Sequence, residues 1–190
     1  NNDGFQEIVS DYLISGNNHL QFFELAIPWD SARDFTLGVP ESMPELIDFV
    51  GRFALGDYNG DGWQDIAASA RPIGSNVTGA ICVFYGGPSF DTLQDVTINR
   101  PGGYVVGAEF FGAYVLICPG DINSDGWDDL IAGSGQAGDD SLTFLFFGGP
   151  LFDSVPDLIF TESITGLYDA GDINNDGHPD LIASFPLPWI

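Results

Sequence analysis

Three short stretches of this sequence carry the same oxygen-bearing side chains at the same spacing. Asp57, Asn59 and Asp61 stand at positions 1, 3 and 5 of the first, with Gly62 at position 6 and Asp65 at position 9. Asp121, Asn123, Asp125, Gly126 and Asp129 repeat that order, and so do Asp172, Asn174, Asp176, Gly177 and Asp180. Carboxylates crowded this closely repel one another unless a positive charge sits among them. The donors are hard oxygens on a flexible loop, a set that suits Ca²⁺ better than Mg²⁺ or a transition metal. The glycine permits the sharp turn that aims the oxygens inward. Position 7, occupied by Trp63, Trp127 and His178, would add a backbone carbonyl, a role indifferent to the side chain. The chain opens on Asn1-Asn2-Asp3-Gly4, which matches the motif from its third position onward. Asn1, Asp3, Phe5 and Glu7 are therefore expected to be the rest of a fourth, truncated loop in a piece of a longer protein.

Two other readings compete for these loops. An EF-hand begins the same way, but it closes on a bidentate Glu at position 12 between two helices. Position 12 here is Ala68, Ala132 or Ala183, and the flanks read as strands. A plain Asx turn without metal accounts for any one loop. Three complete copies with an acid at the same ninth position favour metal loops.

The elements that must hold the loops are short. Ile66-Ala67-Ala68 and Leu130-Ile131-Ala132 are apolar runs directly after a loop. Residues 80–85 and 142–147 are β-branched and aromatic runs, each followed by a Gly-Gly-Pro turn signal. Residues 96–98 and 158–160 supply a third run, and 111–118 a fourth that leads into the next loop. No stretch sustains a helical period, and Pro and Gly interrupt too often for long helices. The segments between loops repeat as well. Residues 83–98 align with 145–160, and Asp34-Phe35-Thr36-Leu37 aligns with Asp95-Val96-Thr97-Ile98. Four short strands in each unit of about 60 residues is what a β-propeller blade needs. The expected fold is all-β: blades of four antiparallel strands in an incomplete ring, since propellers typically have 4–8 blades. The expected units are 1–45 (truncated), 46–105, 106–162 and 163–190, the last being the start of a further blade.

Composition narrows the function. There are 28 acidic residues against four arginines and no lysine, for a formal charge of −24. Such a balance argues against nucleic acid and against anionic membrane surfaces. Disorder is excluded by a chain that is 44% hydrophobic and 14% aromatic. No membrane-spanning run is visible. Cys82 and Cys118 each lie in an apolar run and read either as buried free thiols or as a disulfide between neighbouring strands. Trp63 and Trp127 read either as loop-packing aromatics or as exposed binding platforms. The two histidines, His19 and His178, accompany no nucleophile motif or phosphate-binding loop.

The units resemble FG-GAP repeats, the blades of the integrin alpha-subunit N-terminal propeller and of many bacterial secreted proteins. Phe111-Gly112 matches the Phe-Gly half of the name and Phe49-Val50-Gly51 matches it more loosely. Ser69-Ala70-Arg71, Gly133-Ser134-Gly135 and Ser184-Phe185-Pro186 stand at the Gly-Ala-Pro half. The resemblance implies calcium loops between the first two strands of each blade. The expected function is a calcium-stabilised propeller segment of a secreted or cell-surface protein, serving adhesion or the binding of a protein or carbohydrate ligand and contacting the remaining blades of its own chain. The alternative is a non-catalytic accessory domain of a secreted hydrolase or lyase; no enzyme activity, nucleic-acid partner or membrane insertion is expected. Dockerin-like modules are excluded by spacing, because their repeat is much shorter than the distances from Asp57 to Asp121 and from Asp121 to Asp172.

Overall fold

The structure is a computed structural model that describes residues 7–14, 17–24, 35–39, 46–72, 79–88, 90–102, 111–134, 142–162 and 164–185. Of the truncated first loop, Asn1, Asp3 and Phe5 lie outside the described residues, and Glu7 is placed only as the first backbone position of a strand.

The described residues form strands and turns, with no helix among them. The strands are β1 (Glu7–Ile14), β2 (Asn17–Glu24), β3 (Phe35–Leu37), β4 (Leu46–Gly56), β5 (Asp65–Pro72), β6 (Ala80–Phe84) and β7 (Val96–Asn99). They continue as β8 (Val115–Gly120), β9 (Asp129–Ser134), β10 (Leu142–Phe146), β11 (Leu158–Phe160), β12 (Gly166–Gly171) and β13 (Asp180–Ser184). They pair in chain order into four open antiparallel sheets: β1-β2-β3, β4-β5-β6-β7, β8-β9-β10-β11 and β12-β13. The fold is all-β, and the two complete sheets are four-stranded meanders of the propeller-blade type. Each complete loop joins the first strand of a sheet to the second: β4 to β5, β8 to β9 and β12 to β13.

Strict alternation along the strands explains the stacking. In β6, Ile81 and Val83 turn to one face, while Ala80, Cys82 and Phe84 turn to the other. The first pair joins a core with Phe111, Leu116, Leu130, Phe144 and Phe146 of the following sheet. The second set joins a core with Leu37, Leu46 and Phe49 on the side of β3. Likewise Leu130 and Ala132 of β9 enter the shared core, while Ile131 faces away toward Leu167, Leu181 and Ala183 of the last sheet. A sheet buried on both faces needs apolar residues at both parities. Small and branched side chains supply them in β5, where Ile66, Ala67, Ala68 and Ala70 are all buried.

One expectation from sequence changes here, and one open alternative is decided. The fourth apolar run was expected over 111–118, but β8 spans Val115–Gly120. Residues 111–114 form a turn because Gly112 takes a left-handed φ of 79° and its amide donates to the Gly133 carbonyl at 2.8 Å. Phe111 then tucks its ring edge-on against Phe144, with centroids 5.8 Å apart. The two cysteines are both free thiols, and burial pushes Cys82 up to about 12 and Cys118 up to about 11.

The shared core sets a stability prediction. Phe144→Ala, at a side chain buried between two sheets, is expected to cost about 3–5 kcal/mol. Leu151→Ala, at a side chain 88% exposed, is expected to stay within about 0.5 kcal/mol. Urea denaturation of both variants checks the contrast.

Candidate functional site

The three complete loops fold alike, and their local sequence explains how. The position-1 carboxylate is the hub. Asp57 Oδ1 accepts from the Gly60 and Asp61 amides at 2.8 and 3.0 Å, and its Oδ2 accepts from Gly62 at 2.9 Å. The position-3 amide oxygen, Asn59 Oδ1, accepts from Asp61 N–H at 2.9 Å, and Asp61 Oδ1 accepts from Trp63 N–H at 2.9 Å. Asn59 Nδ2 closes the ring by donating to Asp61 Oδ2 at 3.2 Å. All of these bonds except the one from the position-4 amide recur in the second loop through Asp121, Asn123 and Asp125. They recur again in the third through Asp172, Asn174 and Asp176. Successive Asx turns thus gather the oxygens of positions 1, 3 and 5 over one short turn of chain. Gly62, Gly126 and Gly177 at position 6 have φ of 89°, 97° and 92°, which is why glycine stands there in every copy.

Position 9 has a second role that spacing does not reveal. Asp65 Oδ2 accepts from the position-2 amide, Tyr58, at 2.9 Å, and its Oδ1 accepts from Gly86 at 2.8 Å. Asp129 does the same with Ile122 at 2.9 Å and Gly148 at 2.8 Å. Asp180 holds Ile173 at 2.9 Å. Asp65 and Asp129 are fully buried. Burial pushes each carboxyl up to about 6, against the amides that pull it down, and Asp61 beside Asp65 and Asp125 beside Asp129 push the same way as burial. In the exposed third loop the His178 amide and the Asn174 side chain hold Asp176 below the usual carboxylate range.

The described residues contain no group of three His, Cys, Asp or Glu poised to hold a metal. Positions 1 and 5 supply two carboxylates, the third side-chain oxygen is an asparagine amide, and position 9 is turned to backbone. Trp127 is a packing residue, since its indole lies over Gly60 of the preceding loop. Sequence reasoning missed several acids that act on backbone. Asp95 and Asp157 accept from Tyr85 and Phe147 at 2.7 and 2.8 Å, and Asp91 and Asp153 cap Leu93 and Val155 at 2.8 and 2.7 Å. Their identical places in the aligned segments 83–98 and 145–160 were the available signal. It also missed position 4, where Gly60, Ser124 and Asn175 all adopt a left-handed φ.

The position-9 geometry predicts a cost independent of any metal. In excess chelator, Asp65→Ala is expected to destabilise by about 1–3 kcal/mol for each of the two amides left without an acceptor. Asp180→Ala, which frees one amide at a less buried place, is expected to cost less. A denaturation difference seen only with calcium present would reduce Asp65 to a metal ligand.

Comparison with curated proteins finds no match for this chain. Residues 49–84, which carry most of β4, the first complete loop, β5 and β6, match the FG-GAP repeat family.

Proposed function

We propose that this chain is a calcium-stabilised segment of a β-propeller in a secreted or cell-surface protein, serving adhesion or ligand binding. The observation that carries the reading is the threefold recurrence of one closed loop with the same oxygen set. In the first loop Asp57, Asn59 and Asp61 would hold the ion with their side-chain oxygens and Trp63 with its carbonyl. In the second, Asp121, Asn123, Asp125 and Trp127 have those roles, and in the third Asp172, Asn174, Asp176 and His178. The donor set fits a hard cation: all oxygens, two of the three side chains anionic, and Asx turns that already bring them together before binding. An oxygen that accepts one amide keeps a lone pair for a ligand bond. The position-9 acids would contribute chiefly by shaping the loop from behind, as an outer shell does for many metal sites.

A structural role follows from where the loops lie. Each joins two adjacent strands, so a bound ion ties one strand to the next and links folding to metal. Residues 46–105 and 106–162 are then each one blade. Modules exposed to extracellular calcium need only weak sites, roughly 10⁻⁴–10⁻³ M. FG-GAP repeats are a non-catalytic repeat type found in extracellular and cell-surface proteins, which supports this setting over an enzymatic one. No helix among the described residues is long and apolar enough to cross a membrane. The surface that remains is acidic, which favours a neutral or cationic protein or carbohydrate partner over nucleic acid.

Calorimetric titration of Ca²⁺ into chelator-stripped protein, with thermal melts at each end, tests the reading. Three or more sites are expected, with one lost in Asp125→Asn. Calcium at a hundredfold excess over Kd should stabilise by about 2.7 kcal/mol for each independent site. Absence of heat together with unchanged melting would leave the loops as plain Asx turns.

A further inference from the structure

Neighbouring loops are joined to one another through a residue that is a ligand in neither. Asp128 stands at position 8 of the second loop, and its carboxylate points to the first. Asp128 Oδ2 accepts from the Asp57 amide at 2.9 Å, and the Asp128 amide donates to the Asp57 carbonyl at 3.1 Å. Gly149, in the turn after β10, donates to the carbonyl of the next residue, Tyr58, at 2.8 Å. The main chain of Asp57 is therefore clasped at both its N–H and its carbonyl by the following sheet. Asp57 is also the hub whose carboxylate accepts three amides of its own loop. A side contact accompanies the clasp: a methyl group added to Gly60 would collide with the Trp127 indole. The third loop touches the second in the same sense, with Ser124 Oγ and His178 Nδ1 3.1 Å apart. Its position 8, however, is Pro179, which offers neither a side-chain acceptor nor an N–H.

We propose that Asp128 is a positioning residue for the first loop, so that calcium affinity at Asp57, Asn59 and Asp61 depends on a side chain of the neighbouring loop. The inference rests on the calcium reading and deepens it. By fixing the Asp57 backbone, Asp128 limits the directions in which the Asp57 carboxylate can point, which lowers the ordering cost of binding. Outer residues that orient a ligand change metal affinity about 10–100-fold when removed. The second loop has no such clasp from Pro179, so the first loop is the tighter of the two.

The test is a calorimetric Ca²⁺ titration of the whole chain and of Asp128→Ala, Asp128→Asn, Asp57→Asn and the Asp57→Asn/Asp128→Ala double variant. Asp128→Ala is expected to weaken one site at least about tenfold and leave the others unchanged. Asp128→Asn keeps an oxygen acceptor and is expected to bind close to the parent. Once Asp57→Asn has removed the first site, Asp128→Ala should alter nothing further, as coupling within one site requires. Asp128→Ala with all sites intact overturns the proposal. So does weakening of every site together, which marks a general loss of fold, or an effect that survives in the Asp57→Asn background. A parent protein that takes up no calcium rejects the calcium reading itself, and this proposal with it.

Discussion

The buried carboxylate at position 9 is the interaction on which the rest of this architecture depends. Asp65 and Asp129 are taken wholly out of water, which is costly for an anion without partners. Each is met by two backbone amides, one from the start of its loop and one from the glycine turn after the third strand. Charge-assisted bonds of this kind are stronger than neutral ones. They staple the first, second and third strands of a sheet at a single point. The loop cannot drift, because its second and ninth residues are held together. The Gly-Gly turn cannot drift either, because its amide is committed to the same side chain.

The same logic recurs farther out and gives the acidity of the chain a structural cause. Asp91, Asp95, Asp153 and Asp157 all spend carboxylate oxygens on backbone amides in the turns that lead to the outermost strands. The buried Asp48 is answered differently, by a salt bridge to Arg71 with two bonds at 2.9 and 2.6 Å. Aspartate serves here as the short acceptor that fixes turns, as its preference for Asx geometry allows. Part of the net charge of −24 is thus spent on fixing turns.

Much of this was legible in the sequence. The spacing of Asp57, Asn59, Asp61, Gly62 and Asp65 placed a loop between two strands, and three copies placed it three times. Apolar runs after each loop gave β5 and β9, and the Gly-Gly-Pro signals gave the ends of β6 and β10. What periodicity could not show was the direction of a side chain whose partner is far along the chain. Asp128 looks like one more solvated acid until Asp57 is brought beside it. Phe111 looks like the start of a strand until Gly112 turns the chain and the ring enters the core. The backbone role of position 9 is hidden for the same reason: local spacing is all that a sequence displays, and Gly86 and Gly148 reach Asp65 and Asp129 through the sheet.

The alternation of cores has an evolutionary consequence. Each middle strand serves two different interiors by parity, so one inserted or deleted residue would send every side chain beyond it to the wrong interior. An insertion inside a middle strand is therefore disfavoured, and changes in repeat length fall mainly at strand ends and in the connections. The two loop-to-loop intervals differ in this way: β7 and β8 are separated by a long connection, Asn99 to Val115, whereas β11 and β12 are joined by the short one from Phe160 to Gly166. Such a chain can lengthen and diversify its outer connections freely while its stacked interior stays unaltered, which is how one repeat can be copied many times within a gene and still acquire a distinct surface in each copy.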